Sequence, residues 1–430
     1  MFVNSWVEVK LKEMCERITV GHVGSMSGEY KESGIPFLRS LNITPFRLSF
    51  DNLKFIDENF HQRLKKSALK PGDVAVVRTG YPGTACVVPE SLPKSNCSDL
   101  VIVRPGKDLN PYFLAAIFNS TFGKDLVGGN LVGAAQQHFN ITVAKELKLR
   151  FPPRPVQDKI AAVLSAYDDL IESNRRRIEL LEKMAEELYR EWFVRFRFPG
   201  YQQAGLEKGI PRGWQLVKLA EAFSFTGGGT PSKDVARYWN EGTINWFTPS
   251  DITASEGIFL NSSGERCTDE GLANSAAKIF PAYSVMMTSR ATIGAIGINL
   301  TPACTNQGFI ACIPNENYPL VYLYHWLKLS KSHFESLTTG ATFPELIKGV
   351  FKKLEILTPP KALVGKFEDL AMSFFKEIES LQRANAELNS TRSLLLARLI
   401  SGKLPVDQLD IQFPPSMREA DAARQEVAHA

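Results

Sequence analysis

The chain contains itself twice. Trp6-Val7-Glu8-Val9-Lys10-Leu11 returns as Trp214-Gln215-Leu216-Val217-Lys218-Leu219, 208 positions later, and Pro152-Pro153 returns as Pro359-Pro360, 207 positions later. A near-constant offset over that distance marks a duplication, so the fold must be assembled from two related modules. A heptad-patterned segment follows each module. After the first, Ile160, Leu164, Tyr167, Ile171, Asn174, Ile178, Leu181, Ala185, Leu188 and Trp192 succeed one another at steps of four and three. After the second, the same alternation runs through Val364, Phe367, Ala371, Phe374, Ile378, Leu381, Asn385, Leu388, Arg392, Leu395 and Leu399. Such spacing predicts two long helices with an apolar stripe, each roughly 40 residues and so about 60 Å long at ~1.5 Å per residue. A lone stripe would stay wet. The simplest burial sets one stripe against the other, and because the chain returns through a whole module, the pair is expected to run antiparallel.

Within the modules the pattern changes. Asp73-Val74-Ala75-Val76-Val77, Leu100-Val101-Ile102-Val103 and Leu147-Lys148-Leu149-Arg150-Phe151 are short apolar or alternating runs bounded by turn residues, which predicts strands. Pro111 to Asn119 has helical spacing with proline at its start. The second module repeats this order: Lys278–Thr288 answers Lys70–Thr79, Phe309–Pro314 answers Val101–Pro105, and Pro319–Leu329 answers the helix. The expected fold is therefore α+β, with two mainly-β domains in tandem, each followed by a long α-helix, the helices forming an antiparallel coiled-coil spacer. The boundaries read as module one at 1–153, first helix 154–198, a flexible link 199–210, module two 211–358, second helix 359–404, and a loosely held tail 405–430.

Composition excludes special classes more than it names one. Of 430 residues, 44% are hydrophobic and 22% charged, as in ordinary globular proteins. The net charge of +4 is mild, so a basic surface has to be local: residues 1–153 hold 19 Lys and Arg against 14 Asp and Glu, while 211–358 hold 12 of each. No apolar run reaches membrane-spanning length, the opening residues do not form a secretory signal, and the six cysteines lack the paired spacing of a zinc site or disulfide framework. A cytoplasmic location with reduced thiols is expected. There is no phosphate loop. The Pro-Pro pairs at Phe151-Pro152-Pro153-Arg154, Thr358-Pro359-Pro360-Lys361 and Phe413-Pro414-Pro415-Ser416 lack the preceding amide or carboxylate that an adenine amino-methyltransferase would use. The histidines show no metal-ligand spacing. No catalytic residue, cofactor site or metal site is expected in this chain.

What the loops do hold are residue types that contact base edges and phosphates. In the first module these candidates are Arg39, Ser40, Asn42, Arg47, Arg63, Lys65, Lys66, Arg78, Thr79, Tyr81, Gln136 and Gln137. In the second they are Lys233, Arg237, Trp246, Thr248, Ser250, Asp251, Arg290, Gln307 and Thr342. Singly each is more often a solvated surface residue; recurrence at matched positions in both halves strengthens the set.

Together these features resemble the specificity subunit of type I restriction-modification systems. The resemblance runs from Trp6 to about Leu404 and rests on the module openings quoted above, the second preceded by Ile210-Pro211-Arg212-Gly213. It also rests on Tyr238-Trp239-Asn240 with Trp246-Phe247-Thr248-Pro249-Ser250-Asp251-Ile252, on the helix starts Pro152-Pro153-Arg154-Pro155-Val156-Gln157-Asp158-Lys159-Ile160 and Pro359-Pro360-Lys361-Ala362-Leu363-Val364-Gly365-Lys366-Phe367, and on the helix ends Leu188–Val194 and Leu394–Leu404. The resemblance implies two target-recognition domains, each reading half of a split, asymmetric duplex DNA site, with the helices setting the gap. It implies a subunit without catalysis that recruits two methyltransferase subunits and restriction (translocase-endonuclease) subunits, so that S-adenosylmethionine, ATP and magnesium belong to those partners. The glycine at 365 departs from the usual helix former there. Two alternatives stay open at this stage: a recognition-bearing DNA adenine methyltransferase or restriction enzyme, and a coiled-coil assembly scaffold with no nucleic-acid role.

Overall fold

The computed structural model describes residues 6–131, 138–338 and 344–417. The duplication is visible as topology. In the first head, among the described residues, one sheet runs in the order Cys15–Val20, Leu100–Pro105, Val74–Val77, Ala85–Val87. The second head repeats it as Phe225–Gly227, Phe309–Cys312, Val285–Thr288, Ile296–Asn299, with Phe259–Leu260 added at the edge. A second sheet is also shared. Ile35–Leu38 pairs in parallel with Ser95–Cys97, and Ile244–Phe247 pairs in parallel with Ala303–Thr305. In each head the opening strand pairs antiparallel with the strand that leads into the long helix: Val7 lies opposite Phe151, and Gln215 opposite Thr358. This pairing closes each head at the two segments whose repetition first marked the duplication.

Strands such as Val74–Val77 and Val285–Thr288 are buried along their whole length, as expected for central strands covered on both faces. On one face lies the helix Pro111–Asn119 in the first head and Leu320–Leu329 in the second. The free N–H groups at the start of these helices are satisfied in two different ways. In the first head Asn110 Oδ1 accepts from the N–H of Tyr112 (2.8 Å) and Phe113 (3.1 Å), a local N-cap. Asn110 is itself held by the long helix, through Gln157 Oε1 (2.9 Å) and Asp158 Oδ1 (2.6 Å). In the second head the long helix supplies the cap directly: the Glu368 carboxylate accepts from Val321 N–H (3.0 Å) and Tyr322 N–H (3.3 Å). Burial pushes the Glu368 carboxyl up to about 7, against the lowering effect of those two bonds.

The first long helix spans Arg154–Tyr189 and the second Lys361–Ile400. The chain divides by its contacts into two compact units, Met1–Ser173 with Asn385–Ala430, and Asn174–Ala384. Each unit holds one head, the first half of one long helix and the last half of the other. In unit one Ile160, Ala161 and Leu164 share a core with Leu396, Leu399 and Ile400. Arg392 pairs with Asp168, and Asn385 Nδ2 meets the Ile171 carbonyl at 3.4 Å. In unit two Ile178, Ala185, Tyr189, Trp192 and Phe193 share a core with Val364, Phe367, Ala371, Phe375 and Ile378, and Arg177 bonds Glu377 at 2.7 Å. As numbers rise along one helix they fall along its partner, so the paired segments are antiparallel within each unit. The heptad positions are the buried or half-buried ones throughout.

The first helix ends on a wider turn, Arg190–Val194, with i→i+5 bonding. A π-turn rotates successive side chains by less than 100°, and here the adjacent Trp192 and Phe193 both reach the core, where the Phe193 ring lies 4.8 Å from Tyr322 and 5.0 Å from Phe367. Two stretches differ from expectation. Residues 199–210, expected to be a flexible link, contain a helical turn, Tyr201–Ala204, and begin a two-residue hairpin in which Leu206–Glu207 pairs with Ile210–Pro211. Lys208 and Gly209 both take positive φ at its tip, the geometry of a hairpin turn that matches strand twist. The expected loose tail is packed up to residue 417: Val406 and Met417 are buried with Ile160 and Leu399, Lys159 Nζ donates to the Asp407 carbonyl (2.7 Å), and Ser416 N–H donates to Asp169 (3.2 Å). The remainder of the tail, 418–430, lies outside the described residues. Among the described residues no helix is long and apolar enough to cross a membrane.

One buried group is costly. His325 is 1% exposed, and among the described residues neither ring nitrogen has a hydrogen-bond partner. It is packed among Tyr189, Tyr324 and Phe375. Burial, reinforced by Lys328 and Arg190 and opposed by Glu186, lowers its pKa to about 3. The unfolded chain then takes up a proton near the ordinary histidine pKa, ~6.5, that the folded chain refuses. Stability from this site is therefore present above ~6.5 and is lost as pH falls toward 3. Urea unfolding followed by tryptophan fluorescence tests this: between pH 6.5 and 4, wild type should lose more stability than His325→Leu, and parallel curves would contradict the assignment.

Candidate nucleic-acid interfaces

The polar loop residues sort into fold devices and exposed groups. Asn42 is fully buried; its Oδ1 accepts from Arg39 N–H (3.0 Å) and its amide donates to the carbonyls of Ser49 and Asp51. At the matched place in the second head Asp251 Oδ2 accepts from Thr248 N–H (2.6 Å) and Thr248 Oγ1 (2.7 Å), and its other oxygen accepts from Gly264 N–H. Both heads thus use the same capping device after the matched strands Ile35–Leu38 and Ile244–Phe247. The recurrence of Asn42, Thr248 and Asp251 follows from the shared fold. Trp246 is likewise a core residue, 3% exposed, its indole N–H donating to the Gly229 carbonyl at 2.9 Å. Lys233 lies over two indoles, 3.4 Å from the Trp239 centroid and 4.6 Å from Trp246, and is bonded to Glu265. That arrangement ties its loop to the sheet.

Other candidates are surface groups engaged by neighbours. Arg47 faces Glu172 of the first long helix at 3.9 Å, Arg63 lies over Phe60 and near Glu29, and Arg237 bonds Glu270 at 2.8 Å. Lys65, Lys66 and Ser250 are exposed on short turns. Gln136, Gln137 and Thr342 lie outside the described residues.

The remaining candidates converge on one hairpin in each head. The loop after Val74–Val77 and the loop after Val285–Thr288 have the same backbone: Gly83 N–H donates to the Val77 carbonyl and Gly294 N–H to the Thr288 carbonyl. Positive φ recurs at Gly80 and Ala291, and again at Gly83 and Gly294. The local shift is 211, so Thr79 matches Arg290, a register two to three residues away from the one expected. Each hairpin is met by a turn between strands of the two sheets, Ser98-Asp99 in the first head and Asn306-Gln307-Gly308 in the second. Ser289 N–H donates to the Gly308 carbonyl at 2.7 Å.

In the first head this meeting brings Ser40, Arg78 and Thr79 around Asp99. Thr79 Oγ1 donates to the Asp99 carboxylate, Ser40 Oγ lies 3.4 Å from the same oxygen, and Arg78 Nη1 is 3.8 Å from the other. Arg39 lies nearby in sequence, its Nη2 donating to the Asn52 carbonyl at 2.6 Å. Tyr81 stands at the tip, 84% exposed. In the second head Arg290 Nε pairs with Glu345 at 2.8 Å, and Gln307 accepts from Thr230 at 2.8 Å. Lys348, which sequence reasoning passed over, lays its ammonium against Gly227, where any side chain would collide with it. Burial, then the neighbouring Arg290, Lys278 and Lys352, lower its pKa, and Glu345 opposes them. Each tip presents basic and hydrogen-bonding side chains on a hairpin with the same backbone. Among the described residues no cluster of His, Cys, Asp or Glu is placed to hold a metal ion.

The division into fold devices and tips is testable by stability alone. Asn42→Ala and Asp251→Ala should each cost about 1 kcal/mol or more, as lost caps do, whereas Tyr81→Ala should stay within about 0.5 kcal/mol of wild type in urea unfolding. Equal costs for all three would contradict the sorting.

The chain has relatives among known proteins. The chain is 31% identical over 207 residues to the type I restriction enzyme MjaIX specificity subunit of Methanocaldococcus jannaschii, a match covering 46% of this chain and about half, 48%, of that relative. It is 23% identical to the putative type I restriction enzyme MjaX specificity subunit of the same organism, across 94% of both chains. In fold it is similar to the crystal structure of a type I restriction-modification system S subunit from M. genitalium, with a TM-score of 0.57 and 15% identity, covering 93% of this chain and 97% of that one. The family model described as the type I restriction modification DNA specificity domain matches twice, at residues 4–183 and 211–387, one match per head with its helix, and the chain belongs to that family.

Proposed function

We propose that this chain is the specificity subunit of a type I restriction-modification complex and reads a two-part, asymmetric site on duplex DNA, one part with each head. The observation that carries the reading is the pair of hairpin tips: the backbone is the same in both heads, while the side chains on it differ. A shared scaffold with Arg78, Thr79 and Tyr81 in one copy and Ser289, Arg290 and Thr292 at the matched places in the other is suited to related surfaces that prefer different bases. The second long helix follows its own head as the first does, so each reading surface is fixed to a rigid rod, and the rods set the gap between the half-sites. The chain itself is non-catalytic. Methyltransferase and restriction subunits are its partners, and S-adenosylmethionine, ATP and magnesium act in them.

Methylation mapping of genomic adenines in cells that co-express this chain with its methyltransferase subunit tests the proposal. One motif of two unlike parts with a fixed gap is expected. Tyr81→Ala should weaken selection in one part and Arg290→Ala in the other. Removing seven residues from each long helix should alter the gap and leave both half-sites unchanged. A single uninterrupted motif, or half-sites that change with helix length, would contradict it.

A further inference from the structure

We infer that Asp99 is the positioning residue that sets base choice in the first head, a conclusion that rests on the DNA-reading role proposed above. Its place in the fold is unusual. It forms the turn between Ser95–Cys97 of one sheet and Leu100–Pro105 of the other, with φ at +54°, a left-handed conformation that aspartate tolerates better than most residues. Ser98 N–H donates to the Leu38 carbonyl and Gly21 N–H to the Leu100 carbonyl, which pins the turn on both sides. The carboxylate is thereby held at a fixed point beside the hairpin tip.

Three polar side chains that could contact DNA converge on that point: Thr79 and Ser40 through their hydroxyls and Arg78 through its guanidinium. Ser40 Oγ also lies 3.3 Å from the Asp99 carbonyl. The Arg78 side chain is only 20% exposed, against 42% for Asp99, so the arginine is restrained in the tip while the carboxylate fronts the surface. A fixed negative charge at a DNA-facing surface is unfavourable beside phosphate. It is useful where a donor must be turned away from the backbone and toward a base edge, or where the carboxylate itself accepts from a cytosine amino group. The second head carries no carboxylate at this turn; Gln307 and Gly308 stand there. The carboxylate beside the second tip, Glu345 on Arg290, comes from a different segment, so the two heads differ in where the negative charge sits on the same scaffold, which gives them different base preferences.

Selection of bound duplexes from a randomised pool by the full chain tests this. Asp99→Asn keeps the shape, the left-handed backbone and an oxygen for Thr79, removes the charge, and puts an NH2 that cannot accept where the second carboxylate oxygen faces Arg78. It should flatten base preference at one or two positions of one half-site by about tenfold or more, leave the other half-site unchanged, and leave the salt slope of binding undiminished. A phosphate-contact role would instead reduce that slope by about one. Thr79→Val, which removes one partner of the carboxylate, should flatten the same positions, and it decides the matter if Asp99→Asn fails to fold. Unchanged preference in both half-sites, or uniform weakening with a smaller salt slope, would overturn the inference. If wild type itself selects no sequence, the DNA-reading role fails first, and the two failures are distinguishable.

Discussion

Everything in this molecule depends on burying the apolar stripes of two long helices. Such a helix is stable only when its stripe is covered, because helical propensity adds little against the entropy of ordering some forty residues. Here the cover comes from two sources at once. In each unit an antiparallel segment of the other helix covers part of the stripe, and the head covers the rest. Tyr189 and Phe193 pack against both Phe367 of the second helix and Tyr322 of the second head, and Trp192 packs against Phe367. A head and its rod therefore share one core in each unit.

Hydrogen bonding sharpens what burial alone would leave loose. Apolar contact is non-directional, whereas Gln157 and Asp158 holding Asn110, and Glu368 capping Leu320–Leu329, fix each head helix against its rod in one register. Both heads need a satisfied helix start, and each reached it with a different residue. Duplication preserved the requirement and let its chemical solution drift.

The parts that were legible in the sequence are the periodic ones. Repeated openings and heptads leave a signal at fixed spacing, and the buried face of both helices follows it from Ile160 to Leu399. Residues 405–417 were misread because their partners, such as Ile160 and Asp169, lie some 250 positions earlier, beyond any local pattern. The interface was only partly legible. Asn42, Thr248 and Asp251 recur because the fold needs a cap there, and recurrence alone does not separate a cap from a contact. Asp99 and Lys348 were missed for the opposite reason. Neither has a like residue at the repeat offset in the other half, and the cluster around Asp99 exists only where turns from separate strands meet.

The central claim is that each head selects its own half of the target independently, on a scaffold common to both. Replacing the first head, residues 6–151, with a second copy of residues 214–358 and selecting duplexes from a randomised pool tests it most directly. The account predicts a site whose two parts carry the same bases, both those of the second head. A selected site whose first part still carries the bases preferred by the wild-type chain would contradict it.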